Sequence, residues 1–157
     1  MPQNTRPRTL RTAASLLECG VNPEQVYLDV YAGAPVGRPR LLAEVLQTLV
    51  VEDDIGLAWV TVPPGALERH GVDPDDLDGV VEHARSVKGV RLALLFREMS
   101  GGRVKVSFRS VGDVNVADLA RQFGGGGHAK ASGVAIVGTL AEVQEKVLAA
   151  ARGVLGD

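Results

Sequence analysis

Cysteine is nearly absent. Cys19 stands alone, so an internal disulfide and a cysteine-based zinc cluster are both excluded. Lying between a leucine-rich stretch and a glycine, it is expected to be a small buried helical residue rather than a reactive thiol. Aromatic residues are also scarce, with three Phe, two Tyr and one Trp, too few to line a stacking platform for long single-stranded nucleic acid. No apolar run reaches the roughly 18 residues that suggest a membrane span. The N-terminal stretch carries Arg6, Arg8 and Arg11 and no apolar core of the kind found in a secretory signal. A cytoplasmic location and no membrane partner are expected. The net charge of −2 disfavours a general DNA-coating role.

Glycine is plentiful, and its placement is the most informative feature. Gly124, Gly125, Gly126 and Gly127 stand in a row before His128, followed by Ala129, Lys130, Ala131, Ser132 and Gly133. Each glycine costs about 0.5 to 1 kcal/mol relative to alanine in regular structure, so a run of four implies a function for bare backbone. Glycines at positive φ can turn successive N–H groups into an anion-binding concavity, with His128 placed to donate to a phosphate or sugar oxygen. The competing reading is a helix-to-strand connection with no ligand. Basic residues gather around the run: Arg97, Arg103, Lys105, Arg109, Arg121 and Lys130 face only Glu98, Asp113 and Asp118 in the same stretch. A small anionic ligand suits that imbalance.

Hydrophobic periodicity gives an α/β chain, a mixed sheet of about four to five strands flanked by helices and preceded by a helical linker segment. Residues 1–50 read as three short helices. Pro7 opens the first, Asn22-Pro23-Glu24 starts the second, and Leu41, Leu42, Val45, Leu46 and Leu49 stripe the third. The domain proper is expected at residues 51–157. Ile55 to Val62 and Val90 to Arg97 read as buried strands, and Asp73, Asp75, Asp76 and Asp78 begin a helix to about Ser86. Arg103 to Ser110 alternates strictly, placing Val104, Val106 and Phe108 on one face and Lys105, Ser107 and Arg109 on the other. Asn115 caps a helix that Gly124 stops. Gly133 to Gly138 is a further strand, and Thr139 with Glu142 forms a capping box for the last helix.

The glycine-histidine run, with Val106-Ser107-Phe108-Arg109-Ser110 and Val116-Ala117-Asp118-Leu119-Ala120 before it, resembles the C-terminal DHH-associated domain of the DHH phosphoesterase superfamily. Its order and spacing are most similar to the NrnA-type oligoribonucleases that also act as pAp phosphatases. The resemblance covers roughly residues 50 to 155, and Asn4 to Leu10 is similar to the tail of the preceding catalytic domain. It implies a substrate-binding role, with Arg109, Ser110, Gly125, Gly126, Gly127 and His128 as contacts and Lys105, Ala131 and Gly133 beside them. Ser132 stands where alanine is common in the family.

The family's Asp-His-His signature and its paired metals, usually manganese, have no counterpart in this sequence. His70, His83 and His128 are scattered. No catalytic residue, metal ligand or cofactor is therefore expected in the chain, and Mn2+ is expected in a DHH catalytic domain that would be its partner. Short RNA, dinucleotides and pAp are the implied ligands. The alternatives are a domain of a RecJ-like exonuclease or of a cyclic-dinucleotide phosphodiesterase. A non-catalytic binding or dimerisation module, associating with a second copy through the Leu41-to-Leu49 stripe, is the remaining reading.

Overall fold

Local capping signals set the first two helices in the computed structural model, which describes residues 5–77 and 79–156. Helix α1 (Pro7–Glu18) has Pro7 in its first turn, where a missing N–H costs nothing. Helix α2 (Pro23–Tyr31) starts at Asn22, whose side-chain oxygen accepts from the N–H groups of Glu24 at 2.9 Å and Gln25 at 3.3 Å. Neither helix has a buried residue. Cys19 is therefore exposed, against the expectation that it is buried, because α1 offers it no interior. Asn4 and Asp78 lie outside the described residues.

The chain divides into two compact units, the first ending at Pro35 and the second starting at Val36. Helix α3 (Gly37–Leu46) is in the second unit, where Leu41 and Val45 are fully buried. The stripe assigned by sequence to the helical N-terminal region is thus part of a sheet-based core.

That unit continues with β1 (Val50–Glu52), β2 (Leu57–Thr61), α4 (Ala66–His70), a 3-10 turn at Pro74–Leu77, and α5 (Val80–Arg85). Then come β3 (Leu92–Met99), β4 (Arg103–Ser110), α6 (Val116–Arg121), β5 (Gly126–His128), β6 (Ala131–Val137) and α7 (Leu140–Gly156). The strands form one mixed sheet in the order β1-β2-β3-β4-β6-β5, in which β2 and β3 are parallel and the other pairs among the described residues antiparallel. Six strands exceed the four to five expected. The additions are β1, which is short, and β5, which is made of the glycine run itself. The helix expected from Asp73 to Ser86 begins as the 3-10 turn and resumes as α5 after Gly79, whose φ of +89° is left-handed.

Alternation within the strands divides the interior in two. On the first face, α6 and α7 bury Leu119, Val143, Val147 and Ala151 against Leu92, Leu94, Phe96, Val104, Val106, Phe108 and Val134. On the second face, α3, α4 and α5 bury Leu41, Val45, Ala66, Val81 and Ala84 against Ala58, Val60, Ala93 and Leu95. The second core lies on β2 and β3. Toward β4, β6 and β5 the same face carries no buried side chain among the described residues, so half of it is open.

Candidate functional site

The open half of the second face can be read as rows of facing residues, because directly paired residues in a sheet project to the same side. One row runs Arg109, Ala131, His128, across β4, β6 and β5. The next holds Ser107, Gly133 and Gly126. The third joins Arg97 of β3, Lys105 and Ala135. The floor between the polar groups is therefore glycine and alanine, and Gly126, His128 and Ala135 are exposed. The result is a shallow tray with cationic side chains on one flank and an imidazole on the other.

Arg109 is the most constrained group in it. Its Nε donates to Glu82 of α5 at 3.0 Å, and Nη1 donates to the carbonyl of Phe108 at 3.0 Å. The other Glu82 oxygen accepts from Arg85 Nε at 2.5 Å. Held at two atoms, the guanidinium plane is fixed, while Nη2 has no partner among the described residues. A planar cation fixed in advance with donors to spare suits a phosphate or carboxylate. Arg109 and His128 sit two strand spacings apart, about 10 Å between backbones, leaving room for a ligand over Ala131. The Glu82 contact could not be found from sequence, since it depends on where α5 packs.

The glycine run has a different structure from the expected loop. Gly124, at φ +80°, stops α6, and the N–H groups of Gly124 and Gly125 donate to Arg121 and Ala120. Gly126 to His128 then pair with β6 as an edge strand. The N–H groups of Gly124 and Gly125 are used by helix-stop bonds and Gly126 to His128 run as a strand, so successive N–H groups are not turned to one side as an anion concavity requires. A Cβ on Gly125 would lie 2.5 Å from both the Gly133 oxygen and Val134 Cβ. One on Gly127, whose φ is +141°, would lie 2.6 Å from the Ala131 oxygen. Gly126 is the exception: its φ is not positive and a Cβ there would meet nothing within 4 Å. The fold accounts for its neighbours but not for Gly126, which lies on the tray.

Of the residues expected to bind ligand, Lys105, Arg109, Gly126, His128, Ala131 and Gly133 are brought to this one surface. Ser110 is not. Strand parity puts it on the opposite face, where it is buried and donates to the Val114 carbonyl at 2.7 Å and the Ala129 carbonyl at 3.4 Å. Gly125 and Gly127 support the tray as backbone that has no space for a side chain. Lys130, also in the basic stretch, donates to the carbonyls of Gly112 at 2.5 Å and Val114 at 2.9 Å, so it ties down the loop before α6. Sequence reasoning passed over Arg97 and Ser107 as site residues. Their parity in β3 and β4 was the available signal.

The remaining histidines lie elsewhere. His70 Nε2 is 2.6 Å from Glu44, which also pairs with Arg69, and His83 lies on α5. Among the described residues no three His, Cys, Asp or Glu side chains are grouped to hold a metal ion.

The chain is 35% identical over 150 residues to the bifunctional oligoribonuclease and PAP phosphatase NrnA of Thermus thermophilus, matching 95% of this chain and 44% of that protein. It is 28% identical over 133 residues to the Bacillus subtilis protein of the same name, covering 85% of this chain and 41% of that one. Among solved structures, an exopolyphosphatase-related protein of Bacteroides fragilis superposes with a TM-score of 0.86 at 29% identity, over 98% of this chain and 46% of that one. The chain thus spans less than half the length of these relatives. Residues 55–157, which carry the whole tray, match the DHHA1 domain, and the chain belongs to the DHHA1 domain family.

Proposed function

We propose that the tray binds the phosphate and sugar of short oligonucleotides and of pAp, and that the chain is the substrate-holding half of a phosphoesterase of the oligoribonuclease and pAp phosphatase type. The observation that carries this reading is the alignment of Arg109 and His128 in one row across Ala131. Arg109 supplies a fixed fork for phosphate oxygens, His128 supplies a ring nitrogen at the far side, and the small residues between them admit a flat base or ribose. Bond cleavage in this reading belongs to a DHH catalytic domain with manganese, which is the domain's partner. The names of the two curated relatives support the substrate class.

Calorimetric titration of pApA into the purified chain tests it. Binding is expected and should weaken by about tenfold in Arg109→Lys and in His128→Ala, the loss of one charge-assisted hydrogen bond. Absence of heat with the intact chain, or an affinity in both variants equal to that of the parent, would sink the reading.

A further inference from the structure

Several cations of the second unit are matched locally. Arg69 pairs with Glu44, Arg85 with Glu82, Arg91 with Asp113, Arg121 with Asp118 and Arg152 with Glu52, while Lys130 is spent on two carbonyls. Arg97 and Lys105 have no such match among the described residues and face each other, directly opposite on β3 and β4. Like charges in that position repel, so the pair weakens the sheet unless an anion joins it. Behind the pair is a crevice walled by Pro74, Leu77 and Leu95, with Ser107 adding a hydroxyl. Past Arg97 the surface turns acidic: Glu68, Asp73 and Glu98 border the next groove, which ends the cationic path on that side.

Lys105 and Arg109 share one face of β4, four residues apart, or about 13 Å. A stacked single strand rises about 3.4 Å per nucleotide, so the two rows lie about four phosphate-to-phosphate steps apart when the bases stack, and fewer, within the span of a 5′-phosphorylated tetranucleotide, when they are splayed. We propose that Arg97 and Lys105, assisted by Ser107, form a second phosphate subsite. An oligonucleotide then lies along β4 with one phosphate at the Arg109 row and a later one at the Arg97–Lys105 pair. The inference rests on the nucleotide reading of the Arg109–His128 row and specifies that the ligand is a chain of several nucleotides.

The test compares 5′-phosphorylated pApA with pApApApA on the 157-residue chain, by calorimetry at several salt concentrations. The longer ligand should bind about tenfold tighter, from one additional charge-assisted contact. In the double variant R97Q/K105Q the ratio of the two affinities should fall to about one. The salt slope for the tetranucleotide should flatten by about 0.7 per lost phosphate contact. The variant should melt no lower than the parent, because a like-charged pair has been removed. If pApA binds but the tetranucleotide gains nothing, or the gain survives in the double variant, the second subsite is refuted while the first stands. If pApA itself does not bind, the underlying functional reading fails instead.

Discussion

Adjacent glycines in the run should respond to alanine in opposite ways, and the reason is geometric. At Gly125 the new methyl would overlap the Gly133 oxygen and Val134 Cβ, both at 2.5 Å. Those atoms belong to β6, which is held between β4 and β5 and cannot move aside without breaking pairs on either flank. Overpacking of this kind costs about 1 to 3 kcal/mol. At Gly126 there is open space and an ordinary φ, so alanine relieves the unfavourable entropy of a glycine in a strand and stabilises by about 0.5 to 1 kcal/mol. For a chain of this length each kcal/mol moves Tm by about 2 to 4 °C. Gly125→Ala should therefore melt about 2 to 12 °C below the parent, and Gly126→Ala about 1 to 4 °C above it, by calorimetry or circular dichroism. The more stable variant should nonetheless bind pApA more weakly, because its methyl stands on the floor of the tray. If Gly125→Ala melts with the parent, or Gly126→Ala is destabilised, the division of the run into structural and ligand-facing glycines is wrong.

Ser110→Ala should cost about 1 kcal/mol, the low end for a buried hydroxyl, because the Val114 carbonyl keeps its bond from Lys130. Its effect on pApA affinity should be under about threefold, since that hydroxyl lies on the far face; a larger loss would return Ser110 to the site. Thr139→Ala removes the side-chain half of the reciprocal cap, in which Thr139 Oγ1 accepts from the Glu142 N–H at 3.3 Å, and leaves the Thr139 N–H donating to Glu142 at 2.9 Å. That should lower stability by about 1 kcal/mol in a denaturant titration, and a smaller change would mean that packing alone holds the start of α7. The Glu44 carboxyl is held below its ordinary value, first by the hydrogen bond from His70 and then by that from Arg69. A group depressed by folding contributes stability above its unfolded pKa and loses it as pH falls through the folded one. Acid melting of the parent below about pH 4.5 should therefore be steeper than that of Glu44→Gln; identical acid limbs would remove Glu44 from the account.

Several elements were legible because their signals are local. The alternation in Arg103 to Ser110 fixes which side chains share a face before any partner strand is known, and β4 spans those same residues. Asn22, Asn115, Gly124 and the Thr139–Glu142 box act within one helical turn, and all were found where they were expected. The glycine run was legible only in part. Its first member stops α6 as a short-range rule requires, but Gly126 to His128 have little strand propensity of their own and become β5 only through pairing with β6. Leu41, Leu42, Val45 and Leu46 of the stripe lie in α3 and Leu49 falls past its end, while the helix's place under the sheet depends on residues far along the chain.

The sequence by itself determined the α/β character, the faces of β4, the helix caps and the family to which residues 55–157 belong, because periodicity, capping and motif are properties of neighbouring residues. The tertiary structure decided that Arg109 and His128 share a row, that Ser110 lies on the other face, that Glu82 holds the arginine, and that Arg97 confronts Lys105. Those facts follow from strand order and register, which are set by the joint packing of two cores on either side of the sheet, and no single segment encodes either of them.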